Sequence, residues 1–480
     1  MKKMNLLVMS LVSAAALSFT SCSSNDDLDG NKADQAKVDQ FYMTLTIQTP
    51  NSNGTRTVVN KPTVDATKEE SDVTSGTFYL VDANNKIVFT HTITKKEWAE
   101  EKIPTQGTNG KTTLQVPVKN VTAGTKYSVY FLANATSDSP LTDVFTSNDK
   151  FAKAYSANNN FAMFNQNDAA VKGNSHTVVF TSDNKDANSA AKVSSTINIE
   201  RLTARIDEPK SAVSTIQPYA VDATASKEQK DANANAIKAV KNLKLTSYAI
   251  SNVANKTNVM QQWADATTLS IPTGITYFQP TTEFGTKTLL QNYDYFHAVT
   301  TDKSLKDYVF ENNSKDAATS MYFEYTVELN DDYKTNADFE DGTFYRYNKV
   351  IYSRIQDIID AYKDQKAIFN GQTKDAVVAE LKAAKADPDS ETKLDEFRKK
   401  YDIEVFNAGK TYYVQKIQDQ HLDVANTIQR NSIYLLNVKN IFNVGAQVPN
   451  GGPDDRTLYY LEVEVSVNPW VLNTQDVDLQ

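Results

Sequence analysis

The sequence contains one cysteine, four histidines and fewer basic than acidic residues. With a single cysteine, no disulfide can form within the chain, so its stability has to come from packing. The net charge of −9 and the pI near 5.2 argue against a nucleic-acid partner, which would need a basic face. No long apolar run follows the N-terminal segment, so the cysteine is the one expected route to membrane attachment.

Motifs for catalysis, metals and cofactors are also missing. No G-x-S-x-G, P-loop or G-x-G-x-x-G pattern occurs. The histidines stand alone, without a neighbouring ligand at metal spacing, at positions His91, His176, His297 and His421. We therefore predict no cofactor, no metal and no enzymatic activity. Paired carboxylates can converge without a motif, so a glycoside hydrolase is an open alternative.

An acidic run at 387–396 superficially resembles a calcium-binding loop. It lacks the central glycine, and Arg398 occupies the twelfth position, where a bidentate glutamate belongs. The run instead predicts the start of a helix, with Asp389 or Ser390 as the N-cap.

The main pattern in the sequence is the alternation of apolar and polar residues in short segments. Hydrophobic residues make up 40% of the chain and aromatics 10%, enough to build cores. Between 41 and 48, apolar residues alternate with polar ones, which predicts a half-buried strand whose inward side chains are Phe41, Met43, Leu45 and Ile47. Similar short strands separated by turns follow, including a hairpin around Asn84-Asn85 and one strand at 195–206, and they predict a β-sandwich.

The pattern also predicts a division of the chain. A polar stretch at 208–235 predicts a junction or a long loop, after which strands resume. A helical insertion is expected at 352–402, with one apolar face formed by Ile355, Ile358, Ile359 and Tyr362. The expected segments are a signal peptide at 1–21, a propeptide at 22–56, an N-terminal β-sandwich at 57–220 and a C-terminal β-sandwich at 221–480.

The N-terminus has the layout of an export signal. Lys2 and Lys3 precede a short apolar run, and small residues lead up to Cys22. The residues before Cys22 resemble the lipobox of bacterial lipoproteins, although Phe19 and Ser21 depart from its usual residues. The acidic stretch that follows resembles the signal that directs lipoproteins of Bacteroidota to the outer cell face. We predict that Cys22 is lipidated; an ordinary secreted protein with a stray cysteine is the alternative.

Arg56 is the only arginine before Arg201, and it lies in a polar segment just after the alternating strand. Loop tips of small polar residues are preferred sites of proteolysis. From the residues alone, Arg56 is either a processing site or a plain surface arginine.

Several segments together resemble the major fimbrial subunits of Bacteroidota, the fimbrillins or type V pilins, and come nearest to the shaft subunit of short, minor fimbriae. The resemblance covers most of the chain, but the insertion at 352–402 is less typical of the family. It rests on the lipobox, on Pro469-Trp470 and on the segments 118–136, 195–207, 410–445 and 461–470.

This resemblance implies a mainly β fold with two transthyretin-like β-sandwich domains, and an assembly route. The precursor is lipidated, carried to the outer membrane and cut at Arg56–Thr57 by an arginine-specific protease. The cut releases the strand at 41–48, and a strand from a neighbouring subunit fills the groove. The implied partners are further copies of the chain, anchor and tip subunits, and ligands on host or bacterial surfaces; no nucleic acid is expected, and the membrane is contacted only through the precursor lipid.

Two C-terminal segments are candidate donor strands. The first alternates apolar with polar residues through Leu461, Val463, Val465 and Val467. The segment 461–467 could instead be an integral strand of the C-terminal domain. In that case the tail at 470–480 is the donor strand, and we favour this second alternative. Its apolar residues are Trp470, Val471, Val477 and Leu479.

Three other functions compete with a shaft subunit. An anchor subunit would keep its lipid and resist the arginine cut, and a tip adhesin would carry a further binding domain. An outer-membrane glycan-binding lipoprotein is the third, although lipoproteins that pair with nutrient transporters are largely helical.

Overall fold

The computed structural model describes most of the chain. The described residues are 40–48, 64–100, 111–134, 147–148, 161–167, 176–221, 223–265, 267–278, 296–365, 367–419, 422, 424–449 and 461–472. The predicted signal peptide, Cys22, the Arg56–Thr57 bond, Val477 and Leu479 lie outside them.

The first part of the chain is built from short strands and two short helices. In order they are β1 Phe41–Gln48, β2 Val64–Ala66, α1 Lys68–Ser71, β3 Gly76–Val81, β4 Ile87–Ile93, α2 Lys95–Glu100, β5 Lys111–Val118, β6 Lys126–Ala133, β7 Ser147–Asn148, β8 Met163–Asn165, β9 Thr177–Val179, β10 Ala191–Lys192 and β11 Ile197–Arg201.

Longer strands and five helices follow. They are β12 Ala204–Asp207, β13 Lys210–Ser211, α3 Lys227–Ala239, β14 Val240–Ser251, β15 Val253–Ala254, β16 Thr257–Asn258, β17 Tyr277–Phe278, β18 His297–Ala298, β19 Lys306–Val309, β20 Ser320–Leu329, α4 Asp331–Lys334, β21 Phe344–Tyr347, β22 Val350–Tyr352, α5 Ile355–Ala361, α6 Lys374–Ala386, α7 Ser390–Tyr401, β23 Glu404–Phe406, β24 Lys410–Lys416, β25 Ser432–Ile441 and β26 Leu461–Leu472.

A nine-stranded sheet forms the first half. Its main order is β10-β1-β11-β8-β6-β3-β4, with β5 paired to β1 and β9 paired to β6. The predicted hairpin is confirmed by β3 and β4, and Asn85 in its turn has a φ of 61°, a left-handed conformation that asparagine tolerates well. Apolar side chains from β1, β5, β6 and β11 meet in one core.

Two larger sheets organise the second half. One is ordered β19-β12-β25-β26-β2, with β13 beside β25 and with β2 contributed by the first part of the chain; the other is ordered β18-β14-β20-β24. Both sheets contribute to a single core, which includes Tyr248, Phe323, Tyr434 and Leu436. The prediction of a mainly β protein is confirmed, and the two transthyretin-like β-sandwich domains stay a prediction.

The chain crosses between the two halves at Leu202–Thr203. β11 pairs with β8 in the nine-stranded sheet, whereas β12 pairs with β19 and β25 in the second half. The segment 195–206, expected as one strand, is thus two strands in two sheets. The sheets change earlier in the chain than the domain boundary predicted after residue 220, and that boundary stays a prediction.

The polar stretch at 208–235 is predicted to be a domain junction or a long loop, and the loop alternative is wrong for its last part. Helix α3 begins at Lys227, and Ser226 and Gln229 form a reciprocal capping box at its start. Its inward face consists mainly of the small side chains Ala232, Ala236 and Ala239. Alanine contributes little to hydrophobic periodicity, which is why the helix was not predicted.

The helical insertion is confirmed. Helices α5, α6 and α7 pack on the small sheet β22-β21-β23 around a core of their own. Ile355 and Ile358 are buried there, and Ile359 and Tyr362 pack against them, as the periodicity predicts. Asp389 occupies the N-cap of α7 but makes no side-chain capping bond.

Candidate assembly site

Strand β1 lies inside the nine-stranded sheet, with partners on both sides. It pairs antiparallel with β5 along its whole length, from Phe41 opposite Val118 to Gln48 opposite Lys111. On its other side it runs parallel to β10 and then to β11. The backbone of β1 is therefore hydrogen-bonded to two different parts of the chain.

The side chains of β1 alternate as predicted. Phe41, Met43, Leu45 and Ile47 are each at most 3% exposed, and the residues between them are partly exposed. The ring of Phe41 packs 5.6 Å from that of Phe180, measured between centroids. β1 thus supplies four side chains to the core of its half.

Removal of β1 would leave a large vacancy. Burial of an apolar side chain of this size is worth about 1.5–3 kcal/mol, so the four together contribute about 6–12 kcal/mol. The edges of β5 and of β10 and β11 would lose their partners, and unpaired edges are templates for strand addition. A replacement strand has to run antiparallel to β5 with apolar residues at alternate positions.

The C-terminal strand β26 is paired inside its own chain. From Leu461 to Pro469 it runs antiparallel to β25. Leu461 is buried and Val463 packs against the second core; Val465 and Val467 lie in the same paired stretch. The segment 461–469 is thus a strand of the second half.

The next three residues of β26 have a different partner. Trp470, Val471 and Leu472 pair parallel with β2, opposite Val64, Asp65 and Ala66. The last described strand therefore lies beside the first described strand that follows Arg56.

Glu70, just after β2, is the centre of a buried polar network that the sequence did not reveal. Its side chain is 1% exposed. Its carboxylate accepts hydrogen bonds from Arg205 Nη1 at 3.0 Å, Lys306 Nζ at 3.2 Å, the Tyr308 hydroxyl at 2.8 Å and the backbone N–H of Thr67 at 2.8 Å. These contacts join α1 to β12 and β19.

Arg201 extends the network to β25. Its guanidinium donates to the carbonyl of Glu70 at 2.7 Å, to Ser71 Oγ at 3.0 Å and to Asn431 Oδ1 at 2.9 Å. Burial lowers the pKa of Arg201 to about 9, and the charge of Glu70 opposes this shift. Arg201 is therefore charged at neutral pH, and it links the segment after β2 to both halves of the molecule.

The protonation of Glu70 follows from the same contacts. Burial disfavours the charged carboxylate, but the charge of Arg205 and the hydrogen bonds from Thr67 and Tyr308 outweigh it, so the pKa of Glu70 lies below its ordinary value. The network is ionic at neutral pH.

One feature of the sequence could have pointed to this network. Arg201 and Arg205 are charged residues within the apolar segment 195–207, and a charge in a strand of that kind needs a partner. The acidic segment that contains Glu70 resembles a solvent-exposed loop, so nothing marks it as that partner.

The three histidines in the described residues are not brought together, and His421 lies outside those residues. Burial lowers the pKa of His91, in β4, and of His176, just before β9. His297 lies in β18 of the second half. Within the described ranges, no group of three or more potential ligands could hold a metal ion. Across that same part of the chain, no helix has the length and apolarity needed to span a bilayer.

Together these features define a multi-sheet β protein whose first described strand, β1, is paired on both sides within a sheet. Residues 404–476, which include β23 to β26, match the C-terminal family of the fimbrillins, described as major fimbrial subunit protein type IV. The predicted resemblance to fimbrillins is confirmed for this part of the chain. No curated protein sequence matches the chain.

Solved structures with a similar overall course include three from Bacteroidales. A candidate cell adhesion protein from Parabacteroides distasonis shares 12% identity at a TM-score of 0.46, over 90% of this chain and 97% of that one. A candidate cell adhesion protein from Bacteroides eggerthii shares 10% sequence identity at a TM-score of 0.44, and the match covers 92% of this chain and 100% of that one. A fimbrial assembly protein from Parabacteroides distasonis shares 16% sequence identity at a TM-score of 0.32, and the match covers 60% of this chain and 82% of that one.

Proposed function

We propose that the chain is a structural pilin that polymerises into the shaft of a surface fimbria used in adhesion and colonisation. The observation that carries the proposal is β1, an interior strand whose four buried side chains all precede Arg56. The fimbrillin match at 404–476 supports a fimbrial role.

The proposed route has three steps. A precursor lipidated at Cys22 reaches the outer membrane, and an arginine-specific protease cuts between Arg56 and Thr57. Release of β1 opens the groove between β5 and β10/β11, and a C-terminal segment of a neighbouring subunit fills it. Because that contact joins different surfaces of two copies, it propagates a filament rather than closing a dimer. Anchor and tip subunits would begin and end the fibre.

The tail at 470–480 is the proposed donor. The segment 461–469 is already paired with β25 and contributes Leu461 to the second core, so its departure would open that core. Residues from Trp470 onward have only the short pairing with β2 among the described contacts. Val477 and Leu479 have the two-residue spacing that the groove requires.

Arg56→Ala, beside Thr57→Ala as a control, tests the proteolytic step. The arginine variant should accumulate as an uncut precursor, without filaments in electron micrographs and without a ladder on a non-boiled gel. The threonine variant should be processed and should polymerise. Filaments of undiminished length from Arg56→Ala would contradict the proposal.

The donor is tested by paired changes in the tail. Val477→Asp with Leu479→Asp places charges where the groove is apolar, and should give a folded, processed monomer. Asp476→Asn with Asp478→Asn changes the intervening positions and should leave polymerisation intact. Normal filaments from the first variant would place the donor elsewhere.

An anchor subunit is the alternative function, and purified fibres can distinguish it from a shaft subunit. An anchor subunit would retain its lipid and residues 22–56 in the assembled fibre. Mass spectrometry of purified fibres should therefore find a subunit that begins at Thr57.

A further inference from the structure

A groove of about 480 Å³ opens to solvent at one side of the second half, where its two larger sheets come together. It is lined by the end of β13 with the residues after it (211–214), by β14 (242–245) and by the loop that follows β18 (299–303). Small-molecule sites in proteins measure about 300–1,000 Å³. The groove therefore has the size of a ligand site, and no step of the proposed assembly uses it.

The groove exists because β18 covers only a short part of the edge of β14, over two residues. On either side of the opening, one wall is fixed to that edge. The N–H of Leu243 donates to the carbonyl of Ser214 at 2.8 Å, and the N–H of Val299 donates to the carbonyl of Thr246 at 3.0 Å. The opening is thus held by the backbone, and a ligand would not have to order it on binding.

Glu208 fixes the loop wall a second time. Its buried carboxylate accepts hydrogen bonds from the N–H and the hydroxyl of Thr300 at 2.6 and 2.5 Å and from the N–H of Leu305 at 3.2 Å, and it lies 3.3 Å from Lys303 Nζ. Burial raises the pKa of Glu208, but these bonds outweigh it, so the pKa lies below its ordinary value. The charge of Lys303 is therefore already compensated within the protein.

Lys244 is the second lysine on the groove, and its charge is not compensated. Its side chain is exposed and forms no ion pair with any described residue. None of the residues that line the groove carries a carboxylate. Asp302, in the same loop, does not line it and bonds to Ser304 and Thr300 instead. A cleft with one uncompensated positive charge attracts an anion.

The remaining lining is partly polar and partly apolar. The Ser214 and Thr301 hydroxyls and the Asn242 carboxamide form no side-chain hydrogen bond with a described residue, and such groups can both donate and accept. Val213 and Val299 pack against the second core and add apolar surface. A sugar ring has C–H groups on its faces and hydroxyls around its edge, so it matches both parts of this lining.

A peptide strand fits the groove less well. An added strand needs a run of free N–H and C=O groups along a sheet edge. The N–H of Leu243 and the carbonyl of Thr246 are already bonded to the walls, which leaves only Lys244 and Leu245 between them. Two residues are too few for a ladder of hydrogen bonds, so the groove favours a compact ligand.

We infer that this groove binds a saccharide unit that carries a carboxylate. Lys244 Nζ donates to the carboxylate, and the hydroxyl and amide groups of Ser214, Thr301 and Asn242 bind ring hydroxyls. The inference goes beyond the proposed function and does not rest on it, because no residue of β1 or of the C-terminal tail lines the groove. On a cell surface, such a site would attach the protein to acidic glycans.

Titration calorimetry on the purified, uncut full-length chain tests the inference with two matched pairs of probes. They are methyl glucuronide with methyl glucoside, and N-acetylneuraminic acid with its methyl ester. At least one acid should bind, and at least about 10-fold more tightly than its neutral counterpart, because a hydrogen bond to a charged group is lost in the counterpart. Binding of neither acid, or equal binding of acid and counterpart, would overturn the inference.

Two variants place the binding in the groove. Lys244→Gln should lower the affinity for the acid by about 10-fold, to that of the neutral sugar. Lys241→Gln is the matched control, because Lys241 is an exposed lysine of the same strand that lies outside the groove and pairs with Asp331. Thr301→Trp fills the groove from an exposed position and should abolish binding. Circular dichroism checks the fold of each variant, and unchanged affinity in Lys244→Gln or Thr301→Trp would refute the site.

Two further probes separate a saccharide from other anions. Acetate and the peptide acetyl-Ala-Glu-Ala amide should each bind at least about 10-fold more weakly than the acidic sugar. Equal binding of acetate would mean that only the ammonium group is recognised, and tighter binding of the peptide would make an acidic protein segment the partner; either result would overturn the inference. All measurements use uncut monomer, so a failure of cleavage at Arg56 or of polymerisation leaves them unaffected.

Discussion

The carboxylate of Glu70 and the guanidinium of Arg205 form an ion pair 3.0 Å long, with side chains 1% and 5% exposed. Glu70 lies soon after β2, and Arg205 lies in β12 of the second half. Removing charges from water is expensive, so such a pair stabilises a fold only when further hydrogen bonds complete it. Tyr308, Lys306 and Thr67 provide them here.

Loss of the Glu70 charge should destabilise the protein strongly. Glu70→Gln leaves Arg205, Arg201 and Lys306 with less compensation, and we expect a loss of about 3–5 kcal/mol in the free energy of unfolding. Glu100→Gln, at a site 61% exposed, should change it by less than about 0.5 kcal/mol. Urea unfolding followed by circular dichroism measures both, and equal effects would contradict this account.

Acid should weaken the same network. Because the pKa of Glu70 is lowered from 4.5 in the folded state, its contribution is complete above that value and is lost as the pH falls through the folded pKa. The stability difference between wild type and Glu70→Gln should therefore shrink as the pH falls below 4.5. A difference that stays constant or widens on acidification would be inconsistent with the lowered pKa.

A substitution in β1 should lower the stability of the precursor and leave the stability of the processed, assembled subunit unchanged. Met43→Ala removes a fully buried side chain and should destabilise the uncut precursor by about 2–5 kcal/mol, whereas Thr44→Ala on the other face should cost much less. After cleavage at Arg56 both variants should match wild type in filament stability, because the changed residue has left. Thermal unfolding of precursor and of fibre makes the comparison.

Gly445 should not tolerate a side chain. A Cβ there would collide with the carbonyl oxygen of Tyr412, so Gly445→Ala must displace the backbone that joins Tyr412 to Ala446. We expect a loss of several kcal/mol, above the roughly 1–3 kcal/mol of ordinary overpacking. Gly124→Ala meets open space and bears only the strain of its φ of +82°, about 1–2 kcal/mol. Denaturation midpoints of the two variants should differ in that order.

The helical insertion should respond locally to a cavity. Leu381→Ala removes a fully buried side chain from the core around α6, and should destabilise that region by about 2–5 kcal/mol. Lys382→Ala, its exposed neighbour, is the control. Hydrogen exchange should rise in α5 to α7 in the first variant while the exchange in β1 stays unchanged; a uniform rise would mean that the insertion and the first half unfold together.

Local sequence patterns predicted the individual strands and helices better than they predicted which strands pair with each other. The alternation at 41–48, the turn at Asn84-Asn85 and the apolar face of α5 each lie within one short segment, and each was predicted. The pairing of β1 with β5, β10 and β11 depends on residues far along the chain, and no local pattern encodes it.

Two further features were not predicted, because they too depend on residues that are distant in the sequence. The crossing at Leu202–Thr203 separates two strands that were expected to be one, because both carry apolar residues at strand spacing. The environment of Glu70 is created by side chains more than a hundred residues away, so its burial could not be inferred from its acidic neighbours.

The parallel pairing of Val64–Ala66 with Trp470–Leu472 connects segments from near the two ends of the chain. Contacts of such long range form late in folding, because the entropy of closing the loop has to be overcome first. A chain that emerges N-terminus first holds β2 without this neighbour until β26 has been made. Closure of this sheet is thus timed by the delivery of Trp470–Leu472, long after β2 itself.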